Sequence, residues 1–143
     1  MAAAIRKHED LGKRLNLILS VDGIGLITAI AILVRLPEIG TVTREKIAAL
    51  AGVAPYDNES SEQVRARHIR GGRGRLRKSL FCAALPASFR WNKQLIEFYR
   101  RLRAAGKSHK ATLIACVRKL LIFVNTVVER GTPWQKATTA CQS

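Results

Sequence analysis

The chain has 143 residues, enough for one domain that buries about two-thirds of the surface its unfolded form exposes. Its 25 lysines and arginines face 10 aspartates and glutamates, a formal net charge of +15 and a pI near 10.9, which draws polyanions: nucleic acid, an anionic membrane or an acidic protein. Cys82, Cys116 and Cys141 are odd in number, far apart and without C-x-x-C spacing, which excludes a disulfide framework and a zinc ribbon.

Hydrophobic spacing is helical almost everywhere, so the fold class expected is mainly α, a compact helical domain. Met1 to Asp10 carries charges on both sides of a short apolar patch, without the apolar run and cleavage site of a signal peptide, and a cytoplasmic location is expected. The first helix is predicted over about Ala3 to Ser20 with Leu11, Leu15, Ile18 and Leu19 on one face, and residues 1–20 lead into the domain proper. Asp22, Gly23 and Gly25 impose a tight turn.

A second helix, about Leu26 to Leu36, stops ahead of Pro37, because the residue before a proline is pushed out of helical geometry. The apolar run within it, Ile24 to Val34, falls well short of the roughly 18 apolar residues that a spanning helix needs, so no membrane partner is expected. Thr43 caps a short helix, Arg44 to Leu50, which Gly52 ends. Residues 53–74 then turn polar and irregular; within them Ser61 to Ile69 fits a short hairpin running into Gly71-Gly72.

From about Arg75 the spacing of Leu76, Leu80, Phe81, Ala84 and Leu85 predicts a helix that breaks or kinks near Pro86. Asn92 begins the next helix, closed by Gly106. The last long helix opens on a Ser108 cap and ends at Arg130, before Gly131 and Pro133. Its apolar positions cover more than one face, which places it at the centre of the core. Gln135 to Ser143 reads as a disordered tail, leaving residues 21–134 as the domain.

Three features carry chemistry. Val21-Asp22-Gly23-Ile24-Gly25, between apolar helices within residues 15–36, is similar to a helix-hairpin-helix. In such a turn, backbone N–H groups and the positive end of the second helix meet a nucleic-acid phosphate, which positions the nucleic acid without reading its sequence. An ordinary corner between two helices, with Gly23 and Gly25 serving only backbone geometry, explains the same spacing equally well.

The second feature is the loop and basic run of residues 53–78. Arg65, Arg67, Arg70, Arg73, Arg75, Arg77 and Lys78 give seven cations between Gln63 and Lys78 with no carboxylate among them, a natural counter-surface for a nucleic-acid backbone. A solvated surface is the plainer alternative. Ser60 lies just upstream; a serine hydroxyl is a poor nucleophile without a base or an electrophilic setting, and arginines clamped on a phosphodiester supply such a setting. The third feature is residues 92–110 with Trp91 just ahead of them, where Trp91, Phe98 and Tyr99 are interleaved with Lys93, Arg100, Arg101, Arg103, Lys107 and Lys110, and aromatics among cations can stack on bases. Phe98 and Leu102 fit a core-facing stripe, so packing is expected of the rings and backbone contacts of the arginines. His8, His68 and His109 are isolated, and no metal site is assigned to this chain.

The strings G-V-A-P-Y-D-N-E-S at Gly52 to Ser60 and R-H-I-R-G-G-R-G-R-L-R-K at Arg67 to Lys78 resemble the C-terminal transposase domain of the insertion-sequence 110/116/902 family. S-V-D-G-I-G from Ser20, F-Y-R-R-L-R-A-A-G-K from Phe98, R-K-L-L from Arg118 and G-T-P-W at Gly131 add to it in the family's order. The resemblance implies a DNA transposase or recombinase whose N-terminal RuvC-like nuclease domain carries acidic metal ligands and whose C-terminal domain carries a nucleophilic serine. Only the second part is represented here, so a divalent metal would belong to the first. The family's serine, in an S-G pair after the A-P loop, carries over to Ser60, with Ser61 at the glycine's place. The implied partners are DNA, a structured guide RNA, and an intact transposase or further copies of the chain. This part alone is expected to be inactive, and a truncated nucleic-acid-binding module without catalytic activity is the alternative.

Overall fold

A computed structural model describes residues 9–53 and 74–134, which form six α-helices and one π-helical turn, without strands. The start of the first predicted helix, the Ser61 to Ile69 hairpin and the tail from Gln135 lie outside the described residues. Helix α1, Glu9–Leu19, opens on Glu9 and Asp10, whose charges suit the positive end of a helix, and buries Leu15 and Ile18 completely. Leu11 of the predicted apolar face is more than a third exposed.

Helix α2, Leu26–Arg35, ends as Pro37 requires: Leu36 has left the helical region, with φ −128° and ψ 70°. Helix α3, Arg44–Leu50, is capped by Thr43, whose hydroxyl accepts the Lys46 N–H at 3.2 Å.

Helix α4, Gly74–Pro86, buries Leu76, Leu80, Ala83 and Ala84, whereas Leu85 is exposed. The predicted break takes the form of a π-helical turn over Ala87–Trp91. Pro86 has no N–H to close the helical bond onto Cys82; past it the backbone widens until the Asn92 N–H reaches the Ala87 carbonyl at 3.0 Å, five residues back. Asn92 then caps helix α5, Lys93–Ala104, accepting the Leu95 N–H at 3.1 Å.

Helix α6, His109–Arg130, begins on the Ser108 cap, whose hydroxyl accepts the Ala111 N–H, and stops at Gly131 in the left-handed region, φ +67°. It packs against α1, α3, α4 and α5. Its buried side chains run from Thr112 to Val127 and include Cys116, Val117, Leu120, Leu121 and Val124. By length and composition this helix, rather than the Ile24 to Val34 run, is the one that meets the requirement for crossing a bilayer, but more than half of that stretch is buried within the domain.

Two polar residues fasten loops to this frame. Asn125 on α6 is buried; its Oδ1 accepts the Gly40 N–H at 2.6 Å and its Nδ2 donates to the Val42 carbonyl at 3.1 Å, holding the α2–α3 connection. Ser20 accepts the Trp134 N–H at 2.9 Å, and the Trp134 ring lies 4.6 Å from that of Phe123, so the last described residues return to the end of α1.

Candidate nucleic-acid interface

The turn between α1 and α2 is built by packing first. Val21 and Ile24 are buried and pull the turn onto the core. Between them Gly23 has φ +100°, and a Cβ there would stand 2.4 Å from the Ala87 Cβ. Both the backbone angle and the close approach to the π-helical turn therefore require glycine. Asn92, fully buried, donates from Nδ2 to the Asp22 carbonyl at 3.0 Å while capping α5, so the same side chain fixes the turn and the helix beside it.

Gly25 plays a different part. Its φ of −89° is open to any residue and no atom lies within 4 Å of where its Cβ would be. It is exposed, it stands at the N-cap of α2, and no side chain caps the helix there. The first N–H groups of α2 thus face outward with the positive end of the helix dipole behind them, the arrangement that receives an anion.

An open groove of about 450 Å³ starts at this point. Gly23, Gly25, Ile27 and Thr28 form one wall, and Lys78, Ser79, Cys82, Ala83 and Pro86 of α4 the other. The exposed Lys78 brings a cation from the basic run to the start of α2. A smaller groove on the other side of Gly25 is lined by Asp22 and Trp91, the latter 60% exposed.

Of the residues singled out in the sequence, Gly23, Gly25 and Lys78 therefore meet at one place. Arg75 is exposed on the first turn of α4, while Arg77 is half-buried with its guanidinium 3.9 Å from where a Gly52 Cβ would be. Ser60, Arg65, Arg67, Arg70 and Arg73 lie outside the described residues, and so does Ser61. Among the described residues no three of His, Cys, Asp and Glu cluster as metal ligands would.

Trp91, one of the aromatics that the sequence sets among cations, lines the smaller groove. Sequence reasoning missed Cys82 as a groove residue, because a lone cysteine within a helical pattern carries no signal of the wall it forms. The aromatic residues of the third feature behave mainly as packing: Phe98 and Tyr99 are half-buried against the core, with the Tyr99 hydroxyl 2.6 Å from His109 Nδ1.

Residues 15–100 match the family described as Transposase IS116/IS110/IS902. The chain is 30% identical over 130 residues to the pilin gene-inverting proteins of Moraxella bovis and Moraxella lacunata, an alignment that covers 89% of this chain and 40% of each relative. It is also 30% identical over 116 residues to an uncharacterized 43.6 kDa protein of the insertion element IS110 from Streptomyces coelicolor, covering 79% of this chain and 28% of that protein. The chain thus spans well under half the length of these relatives.

Proposed function

Because this chain belongs to the IS116/IS110/IS902 transposase family, a family of DNA recombination, we propose that it is the DNA-handling domain of a strand-exchanging recombinase, with Ser60 as its nucleophile. The observation that carries the reading is the extent of the family match, which takes in both the α1–α2 turn and the whole serine and arginine segment.

In this scheme the groove at the start of α2 holds a phosphate between backbone N–H groups and Lys78, which fixes the register of the DNA. Arg65, Arg67, Arg70, Arg73, Arg75 and Arg77 add contacts along the backbone, and those nearest the scissile phosphate offset charge on its non-bridging oxygens. Ser60 Oγ attacks that phosphorus; the P–O bond to one DNA strand breaks and that strand leaves as a hydroxyl, taking a proton in place of the one lost by the serine. Attack by a hydroxyl of another strand reverses the step and frees Ser60. One phosphodiester is exchanged for another, so the bond's free energy is conserved. The Moraxella relatives are named for inverting a gene, an operation of cutting and rejoining that such an exchange suits.

Metal-dependent work belongs, on this reading, to an acidic nuclease-like part working beside the domain. Guide RNA and further copies of the chain are proposed on the family resemblance alone. A binding-only role is the second reading, favoured by Ser61 at the position where the family's pattern has glycine: about 1 kcal/mol or more is lost there if the backbone is left-handed.

Binding is the first test. The full chain should bind duplex DNA with an affinity that falls linearly with salt on logarithmic axes. Lys78→Glu should weaken it several-fold with little change in thermal stability, since Lys78 is exposed. Wild-type chain that fails to bind DNA at low salt would refute the proposal.

A further inference from the structure

Apart from the groove, α5 and α6 set two cations over two phenylalanines, with Arg118 of α6 and Arg44 of α3 near enough to act on one of them. Lys119 Nζ lies 5.2 Å from the Phe98 ring centroid and 5.9 Å from that of Phe123. The Arg101 guanidinium lies 5.5 Å from the same Phe98 ring. Arg118 adjoins Lys119 on α6, and Arg44 is the first residue of α3. Partial burial, and then the charges of Arg44, Arg101 and Arg118, hold the Lys119 ammonium below the usual lysine range.

Like charges so close destabilise the fold, and the ring faces, though attractive to cations, carry no net charge to cancel them. The one ion pair formed by the four among the described residues is Arg44 with Glu45 at 3.4 Å, and both side chains are more than two-thirds exposed, where such pairs contribute little. Arg118 and Lys119 are half-buried while Arg44 and Arg101 are exposed. The cluster is therefore anchored at its base and open at its rim.

We propose that Arg44, Arg101, Arg118 and Lys119 form a phosphate-binding surface that takes a second segment of nucleic-acid backbone, separate from the groove at the start of α2. This rests on the nucleic-acid reading above and adds a site to it. Phosphate is the ligand rather than a base, because Phe98 and Phe123 are half-buried against the core and already hold cations over their rings. The two sites share no residue, so two backbone segments fit one chain without competing for a cation.

The test is the salt dependence of duplex DNA binding by the full chain, followed by fluorescence anisotropy, for wild type and for R101Q/R118Q/K119M. Removing a cation that neutralises one phosphate lowers the log–log slope by about 0.9, so the triple variant should show a slope smaller by about two to three. Its melting temperature without DNA should be unchanged or higher, because repulsion is relieved. R101K/R118K keeps the charge and should keep the slope, which separates loss of charge from damage to packing. An unchanged slope in the triple variant, with wild type binding DNA, would overturn this inference and leave the groove reading intact; wild type that binds no DNA overturns both. Loss of poly-glutamate binding with an unchanged DNA slope would assign the surface to an acidic protein and likewise overturn the inference.

Discussion

Asn92 and Asp22 are 70 positions apart in sequence, yet the Asn92 side-chain amide donates to the Asp22 carbonyl at 3.0 Å. The other end of that amide caps α5. One buried side chain thus joins the α1–α2 turn to the second half of the domain. Asn92→Ala removes both bonds, strips a helix of its cap and leaves a carbonyl without its donor, at a cost of about 2–4 kcal/mol. Asn92→Asp keeps the cap but sets a carboxylate against the Asp22 carbonyl. It should be destabilised near neutral pH and recover as pH falls into the carboxyl range, where the protonated acid donates again. Urea denaturation of the two variants at two pH values checks both expectations.

Gly25 separates folding from binding. A side chain fits there without strain, and α2 lacks a side-chain cap, so Gly25→Asp should stabilise the domain, by up to about 1 kcal/mol. The same carboxylate occupies the N–H groups and opposes the phosphate, so DNA affinity should fall. Melting temperature and affinity are expected to move in opposite directions. Affinity that rises or stays level in Gly25→Asp would remove the helix terminus from the interface.

Two thiols report on the groove and the core. Cys82 is exposed in the groove wall, whereas Cys116 is fully buried. Alkylation of the native chain should modify Cys82 and spare Cys116, and bound DNA should slow modification of Cys82. Burial pushes the Cys116 thiol up, partly offset by the Ser88 hydroxyl. Its folded pKa therefore lies above the unfolded one, so the stability this thiol contributes is intact below the ordinary thiol range, about pH 8.5, and is lost as pH rises toward the folded value. Cys116→Ala should narrow the gap to wild type in alkaline solution, a trend that thermal melts from neutral to alkaline pH will read.

Much of this architecture is legible in the sequence because its signals are local. Thr43 and Ser108 cap their helices as the sequence predicts, Gly131 ends α6 in the left-handed region, and the long apolar helix is the centre of the core. The Pro86 break is legible too, but not its form, since a π-helical turn depends on how the freed carbonyls find partners. Gly23 illustrates the limit for the site. Its spacing fits a helix corner and a phosphate turn alike, and only the 2.4 Å approach to Ala87 shows packing to be one of its duties. The cations over Phe98 are legible only in part: Arg101 belongs to a run visible in sequence, whereas Lys119 is brought to the ring by tertiary packing. Ser60 rests on motif order, and the described residues do not include it.

Covalent capture tests the nucleophile most directly. The full chain is combined with the acidic nuclease-like part of a full-length relative and a nicked DNA substrate that traps the exchange halfway, and protein–DNA adducts are resolved on a denaturing gel. Wild type and Ser61→Ala should form the adduct. Ser60→Ala should form none while binding the DNA within about twofold of wild type, because the hydroxyl acts mainly in the transition state. An adduct that persists in Ser60→Ala, or wild type that binds the substrate and forms no adduct, would contradict the assignment.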